Sequence, residues 1–264
     1  MKWFHLIRRW RRWRATRLPF PNEWNEILNK NFPLDRTLSQ EDRHRLRYLI
    51  QIFLYEKNIR GLNGLAITDE IRVTVAAQAC LLLLHLDEDD FPNLYSVLIY
   101  PTAYEASHTE YLEGGLIRES RDLRLGETSK RGAVLLSWQD AKYGAADIHD
   151  GQNVVLHEFA HQLDLENNVA DGAPLLPRRS MYLAWARVFS KAYSELQKDI
   201  EHHHKHVMSA YGATNAAEFF AVATETFFEK PLALKNQHFE LYEQLRLFYR
   251  QDPAKRARNI DRKS

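Results

Sequence analysis

The chain has 264 residues, 45% of them hydrophobic, with 36 Lys and Arg against 35 Asp and Glu and a formal net charge of +1. That is enough for one sizeable core, and the average surface carries no excess charge for nucleic acid, so direct nucleic-acid binding is not expected. A single cysteine, Cys80, excludes an internal disulfide and a cysteine-built metal site, and fits a reducing, cytoplasmic setting. Residues 1–20 make a basic arm. Lys2, Arg8, Arg9, Arg11, Arg12, Arg14 and Arg17 stand there with no acidic residue among the first 18, beside Trp3, Trp10 and Trp13, and Pro19 and Pro21 close it. The arginines follow the short apolar piece rather than precede it, so no signal peptide is read there. A solvated, disordered terminus is the preferred reading of the arm. Its rival, not favoured, is a helix lying on an anionic membrane or a partner.

A single domain is expected over 21–253. Residues 39–57 read as a helix, with Ser39 as N-cap and Leu46, Leu49, Ile50, Phe53 and Leu54 as its apolar stripe. Residues 60–67 read as a turn and a short extended piece. Thr68 caps a second helix, with Asp69 and Glu70 in its first turn. Its apolar run, residues 73–86, is shorter than the roughly 18 residues a membrane span needs and reads as buried. The middle of the chain turns β-rich in "YSVLIYPTAY", "GLIRESRDLRLG" and "GAVLLSWQD", which predicts a small sheet of meanders or hairpins. The strand near 132–141 is either an exposed edge able to align a substrate backbone or an interior strand. Helices are predicted again over 151–166, 180–199, 215–229 and 236–250, followed by a disordered basic tail over 254–264. Helices, a small sheet and helices again make one α+β unit.

The chemistry concentrates in "VVLHEFAHQLDLEN", residues 154–167. On a helix, His157 and His161 are neighbours at i and i+4, so both can point at one ion, and Glu158 is offset toward a water on that ion. Two zinc ligands and a general base are what this H-E-x-x-H spacing provides. Asp147 or Asp150 is expected to open the helix. A third ligand is needed. Asp164 and Asn167 stand where a metzincin would carry Gly and His, which excludes that class. The remaining choice is a later glutamate, and Glu166, Glu195, Glu201, Glu218, Glu225 and Glu229 are all within reach of the arithmetic. Glu218, in "YGATNAAEFFAVATETFF" (211–228), is either that ligand or a capping-box partner of Asn215, with Glu225 two turns later as the rival ligand. Asp164 is either a hydrogen-bond acceptor for His161 or a surface aspartate. The tract "EHHHKH" (201–206) reads as solvated, with adventitious metal affinity.

The pairing of "HEFAHQLD" with "YGATNAAEFFAVATETFF" resembles the Mlc titration factor A family of zinc peptidases. There a tyrosine precedes the third ligand by seven residues in a Tyr-x6-Glu-x-Phe-Ala pattern, matched here by Tyr211, Glu218, Phe220 and Ala221. The same Tyr–Glu spacing is similar to the catalytic domain of anthrax lethal factor. The resemblance covers about residues 20–253, including "VLIYPTAY", "VLLSWQDA" and "LFYRQDP", and fails over the basic arm. It implies a zincin-like core of the His2Glu (gluzincin) class behind an N-terminal helical region. One Zn2+ per chain would be held by His157, His161 and Glu218, with Glu158 as base and Tyr211 facing the reaction. It also implies aminopeptidase-type hydrolysis of a peptide or protein substrate, and binding of the transcriptional repressor Mlc. The competing function is a non-catalytic protein that keeps zinc as a scaffold and sequesters a repressor.

Overall fold

Ser39, Thr68 and Asn215, read from the sequence as capping residues, open their helices. The computed structural model describes Trp10 and residues 12–86, 91–111, 117–124, 126–129 and 132–261. Over these the chain begins with helical residues 12–15, then α1 (Asn22–Asn31), a 3₁₀ turn (Pro33–Thr37) and α2 (Gln40–Glu56). The Ser39 hydroxyl accepts the Asp42 N–H at 3.0 Å, and the predicted stripe from Leu46 to Leu54 is buried. Strand β1 (Asn58–Gly61) leads to α3 (Asp69–Leu82), where the Thr68 hydroxyl accepts the Ile71 N–H.

Every residue of α3 from Val73 to Leu82 is buried, and the helix packs against α1 and α2. A helix apolar all round needs cover on every side. Its one amide, Gln78, spends its NH2 group on the carbonyls of Thr74 and Ala141.

Then come β2 (Ser96–Tyr100), β3 (Tyr104–Tyr111), β4 (Ile117–Arg124), β5 (Gly126–Ser129) and β6 (Ala133–Ser137). The main sheet has the order β1-β2-β6-β5, and β3 and β4 form a separate antiparallel ribbon. This corrects the predicted meander. β1, β2 and β6 run parallel, with Val97 opposite Val134 and Ile99 opposite Leu136, and only β5 is antiparallel to β6. Parallel neighbours need a long crossover. Helix α3 supplies it between β1 and β2, and the ribbon with β5 supplies it between β2 and β6. Hairpin character survives in β3–β4 and β5–β6. Val97, Ile99, Val134 and Leu136 are fully buried on one face of the sheet, as alternation in a half-covered sheet requires. Strand β6 is interior, flanked by β2 and β5, rather than an exposed edge.

The C-terminal half is helical: α4 (Trp138–Ala146), α5 (Val154–Asp164), α6 (Met181–Glu201), α7 (Ala216–Glu229), α8 (Pro231–Gln237), α9 (Phe239–Tyr249) and α10 (Pro253–Asp261). Helix α5 touches β5, β6, α3, α4 and α7. The helix predicted over 236–250 starts at Phe239, because His238 lies outside helical φ/ψ and Pro231 opens a separate short helix. Trp185 stacks on Phe189 at 4.0 Å and meets Phe220 and Phe248 edge-on or tilted, joining α6, α7 and α9. Buried apolar residues from Leu28 to Ala254 form one cluster.

Both predicted disordered ends are partly structured. Residues 12–15 are helical, and Arg12 is buried in an ion pair with Glu56 at 3.0 Å. Residues 1–9 and 11 lie outside the described residues, as do 262–264. At the C-terminus α10 forms because Asp252 accepts the Lys255 N–H, and the Tyr242 hydroxyl accepts the N–H of buried Ala254. Among the described residues no helix is long and apolar enough to cross a membrane.

Candidate metal centre

Asn153, rather than Asp147 or Asp150, opens α5. Its side-chain oxygen accepts the Leu156 N–H at 2.9 Å, its amide NH2 donates to the Gly144 carbonyl and to Glu229 Oε1, each at 3.0 Å, and its backbone N–H donates to Glu225 Oε2. One of these bonds caps α5 itself, and the other three tie its start to α4 and α7. Asp147 and Asp150 accept the N–H groups of His149 and Gln152 in the preceding loop instead. Val155, Leu156, Phe159, Ala160 and Leu163 bury one side of α5, so His157 and His161 are turned toward α7. At the start of α7, the Asn215 side chain accepts the Glu218 N–H at 3.0 Å. The cap therefore uses Glu218's backbone and leaves its carboxylate to reach across to α5.

Three donor atoms converge there. Glu218 Oε2 lies 2.9 Å from His157 Nε2 and 3.3 Å from His161 Nε2, and the two ring nitrogens are 3.2 Å apart. Four ligands at zinc distances of about 2.0–2.2 Å in a tetrahedron are separated from one another by roughly 3.3–3.6 Å. The observed triangle is close to one face of such a tetrahedron. His157, His161 and Glu218 could thus hold a metal ion. Their side chains are only 11%, 12% and 18% exposed, which leaves one open side.

The local charges favour a cation at this point. Burial pushes the His157 imidazole down, but its hydrogen bonds to the Glu218 and Glu225 carboxylates outweigh that and raise it to about 10, with the charge of Glu158 adding to the effect. Burial pushes the Glu218 carboxyl up, and the two histidines reverse this and hold it at about 2. A proton on His157 and a metal ion compete for the same negative surroundings.

Glu225, the rival ligand in the sequence, stands behind His157. Its Oε1 takes the Nδ1–H at 2.7 Å and its Oε2 takes the Asn153 N–H. Holding Nδ1 as the donor directs the Nε2 lone pair toward Glu218 and His161. Asn153 and Glu229 complete this support; Asn153 went unread as a site residue, and Glu229 was read only as one of the six glutamates within reach as third ligand. An Asn directly before an apolar helical run is a capping signal, so Asn153 could have been found. Glu229 carried no comparable signal.

Glu158 is 5% exposed, within α5 beside His157. Tyr211 is 56% exposed, its ring centred 5.8 Å from the His157 ring. Asp164 is fully buried, not on the surface. Its Oδ2 accepts the Gly172 N–H at 2.9 Å, and burial first of all raises its carboxyl to about 6. Gly172 has a φ of +78°, and a Cβ there would lie 2.4 Å from the Ala216 carbonyl oxygen at the start of α7. Glycine at 172 lets this loop pass close under the Glu218 helix. Residues 202–205 of the His202–His206 tract are exposed and His206 is half-buried, with His202 on the Lys198 carbonyl and His204 beside Asp199. The tract forms no second metal-capable trio among the described residues.

The chain matches the model of the family described as glucose-regulated metallo-peptidase M90 over residues 7–250. It is 39% identical over 248 residues to an uncharacterised protein of Synechocystis sp., covering 92% of this chain and 90% of that one. It is 32% identical over 240 residues to Mlc titration factor A of Klebsiella pneumoniae, covering 89% of this chain and 88% of that one. It is 30% identical over 241 residues to Mlc titration factor A of Serratia proteamaculans, with 90% of each chain covered. A family match over most of the chain, full-length relatives and a metal-capable His–His–Glu trio agree: the chain belongs to the glucose-regulated metallopeptidase M90 family, together with the Mlc titration factor A proteins.

Proposed function

We propose that this protein is a zinc-dependent peptidase with a zincin-like core of the gluzincin class, its one Zn2+ held by His157, His161 and Glu218. The observation that carries the proposal is the triangle of donor atoms with edges of 2.9, 3.2 and 3.3 Å, slightly tighter than the face of a zinc tetrahedron. Two imidazoles and one carboxylate are the donor set of a hydrolytic zinc site with an open fourth position. Bound there, zinc supplies a water of lowered pKa and polarises a substrate carbonyl. Glu158 is the general base. Its carboxylate takes the proton from the attacking water and passes it to the amine nitrogen as the C–N bond breaks. Tyr211 donates its hydroxyl to the carbonyl oxygen as negative charge develops on it, and its place beside His157 at an exposed rim supports that role. Glu225 fixes the His157 ring.

The aminopeptidase type rests on the resemblance of the Tyr211–Glu218 stretch. It requires a free substrate amine, so aminoacyl chromogenic substrates should be cleaved and their N-acetylated forms should not. Binding of an Mlc-like repressor in the cytoplasm is the second reading, supported by the names of the enterobacterial relatives. Glu158→Gln separates catalysis from scaffolding. The near-isosteric amide cannot accept the proton, so the variant should retain zinc and repressor binding while peptide turnover falls by orders of magnitude. Undiminished turnover in a zinc-loaded variant would remove Glu158 as base.

A further inference from the structure

The basic arm takes no part in the metal centre, yet its described residues are arranged for contact. Trp10, Trp13, Arg14 and Arg17 follow the i, i+3, i+4, i+7 spacing of one helix face. Trp10 is 54% exposed, Trp13 56% and Leu18 72%. The Arg14 guanidinium lies 5.0 Å from the Trp10 ring centre, and that of Arg17 5.4 Å from Trp13. Arg12 points the other way, buried against Glu56 with two hydrogen bonds at 3.0 and 3.3 Å, and Gln51 donates to the Leu18 carbonyl at 2.9 Å. The stretch is thus fastened to α2 by its inner side while indoles and arginines face out. Tyr48 and Tyr55, seven apart on α2, are also exposed. In the sequence the apolar spacing extends back through Ile7, Leu6 and Trp3, interleaved with Lys2, Arg8, Arg9 and Arg11, and the first 18 residues hold no acidic group.

We propose that this face docks the protein on an anionic phospholipid surface. Indole rings settle at the headgroup level of a bilayer, where one end is apolar and the other wet. Clustered arginines are drawn to anionic lipid headgroups, and an apolar stripe flanked by cations lies in the plane of the interface. The exposed Trp10, Trp13 and Leu18 suit a hydrocarbon boundary, which a nucleic-acid duplex lacks. The contact is peripheral, since no described helix can cross a bilayer.

Sedimentation of the full-length protein with vesicles tests this. Vesicles of equal parts phosphatidylglycerol and phosphatidylcholine should bind it at least about tenfold more tightly than phosphatidylcholine alone. Binding should weaken as salt rises from about 0.1 to about 0.5 M and should shift tryptophan emission to the blue. The double variants Trp10→Ser/Trp13→Ser and Arg14→Glu/Arg17→Glu leave the Arg12–Glu56 pair in place. Each should weaken binding about tenfold or more, with thermal unfolding and metal content unchanged. Failure of the unaltered protein to sediment with anionic vesicles would overturn the proposal without recourse to any variant. So would undiminished binding by both variants, or displacement from vesicles by an equivalent concentration of duplex DNA, which would make the arm a nucleic-acid surface.

Discussion

His157 is held at both ring nitrogens, and the two contacts have different consequences. Nε2 meets the Glu218 carboxylate and Nδ1 meets that of Glu225. Glu225 accepts hydrogen bonds at both of its oxygens, from His157 and from the Asn153 N–H. Glutamine has one acceptor oxygen, so Glu225→Gln must leave one of those buried donors facing an NH2 group. It also withdraws the negative charge that raises the basicity of the ring. Zinc affinity measured by chelator competition should fall about 10–100-fold, the usual cost of losing such a supporting partner. An unchanged affinity would mean that Glu225 does not orient the ligand. Tyr211→Phe acts elsewhere in the cycle. Phe preserves the ring beside His157, so zinc content should hold. A hydroxyl that meets the substrate oxygen only once it is charged contributes to the transition state alone, and its loss falls on kcat. The expected drop is roughly 10²–10³-fold with KM little altered. A raised KM at constant kcat would make Tyr211 a substrate-binding residue instead.

Helices α5 and α7 are joined by polar contacts at the metal-capable trio and, beyond it, at the end where α5 begins. That end holds the group Asn153, Glu225 and Glu229. Burial raises the Glu229 carboxyl to about 9, against a lowering hydrogen bond from Asn153 and with the charges of Glu225 and Asp150 adding to the rise. Among the described residues one of its oxygens, Oε2, has no hydrogen-bond partner. The folded chain therefore keeps Glu229 protonated at neutral pH, whereas the unfolded chain ionises it above about 4.5. Because the folded state binds the extra proton, stability falls as pH rises from about 4.5 toward 9. Glu229→Gln cannot ionise and still offers an oxygen to the Asn153 amide. In chelator-treated protein it should flatten the decline of Tm between pH 5 and 8, with a relative gain that grows as pH rises through that range. Parallel Tm–pH curves for the two proteins would show that Glu229 is not held neutral.

Across the whole molecule, several local signals were legible in the sequence, although the cap at Asn153 was passed over for Asp147 or Asp150. Ser39, Thr68 and Asn215 cap their helices through bonds to residues three positions on, and the His157–His161 pair needs only the helical repeat. Features decided by distant chain segments were not legible. The parallel order β1-β2-β6 depends on which strands meet after α3 has crossed between them. The start of α5 is set by partners of Asn153 on α4 and α7, not by the nearest acidic residue. Glu225 and Glu218 look equivalent along the sequence, being seven apart on one helix face, and only the position of α5 makes one converge with the histidine Nε2 atoms and the other support Nδ1. The tail helix α10 depends in the same way on the Tyr242 hydroxyl from α9. Anomalous diffraction at the zinc edge from zinc-soaked crystals bears most directly on this division of labour. One ion per chain is expected, with the Nε2 atoms of His157 and His161 at about 2.0–2.1 Å, a Glu218 oxygen at about 2.0–2.2 Å, and Glu225 still on Nδ1. An ion bound by Glu225 with Glu218 more than about 5 Å away, or an ion found only on the His202–His206 tract, would contradict it.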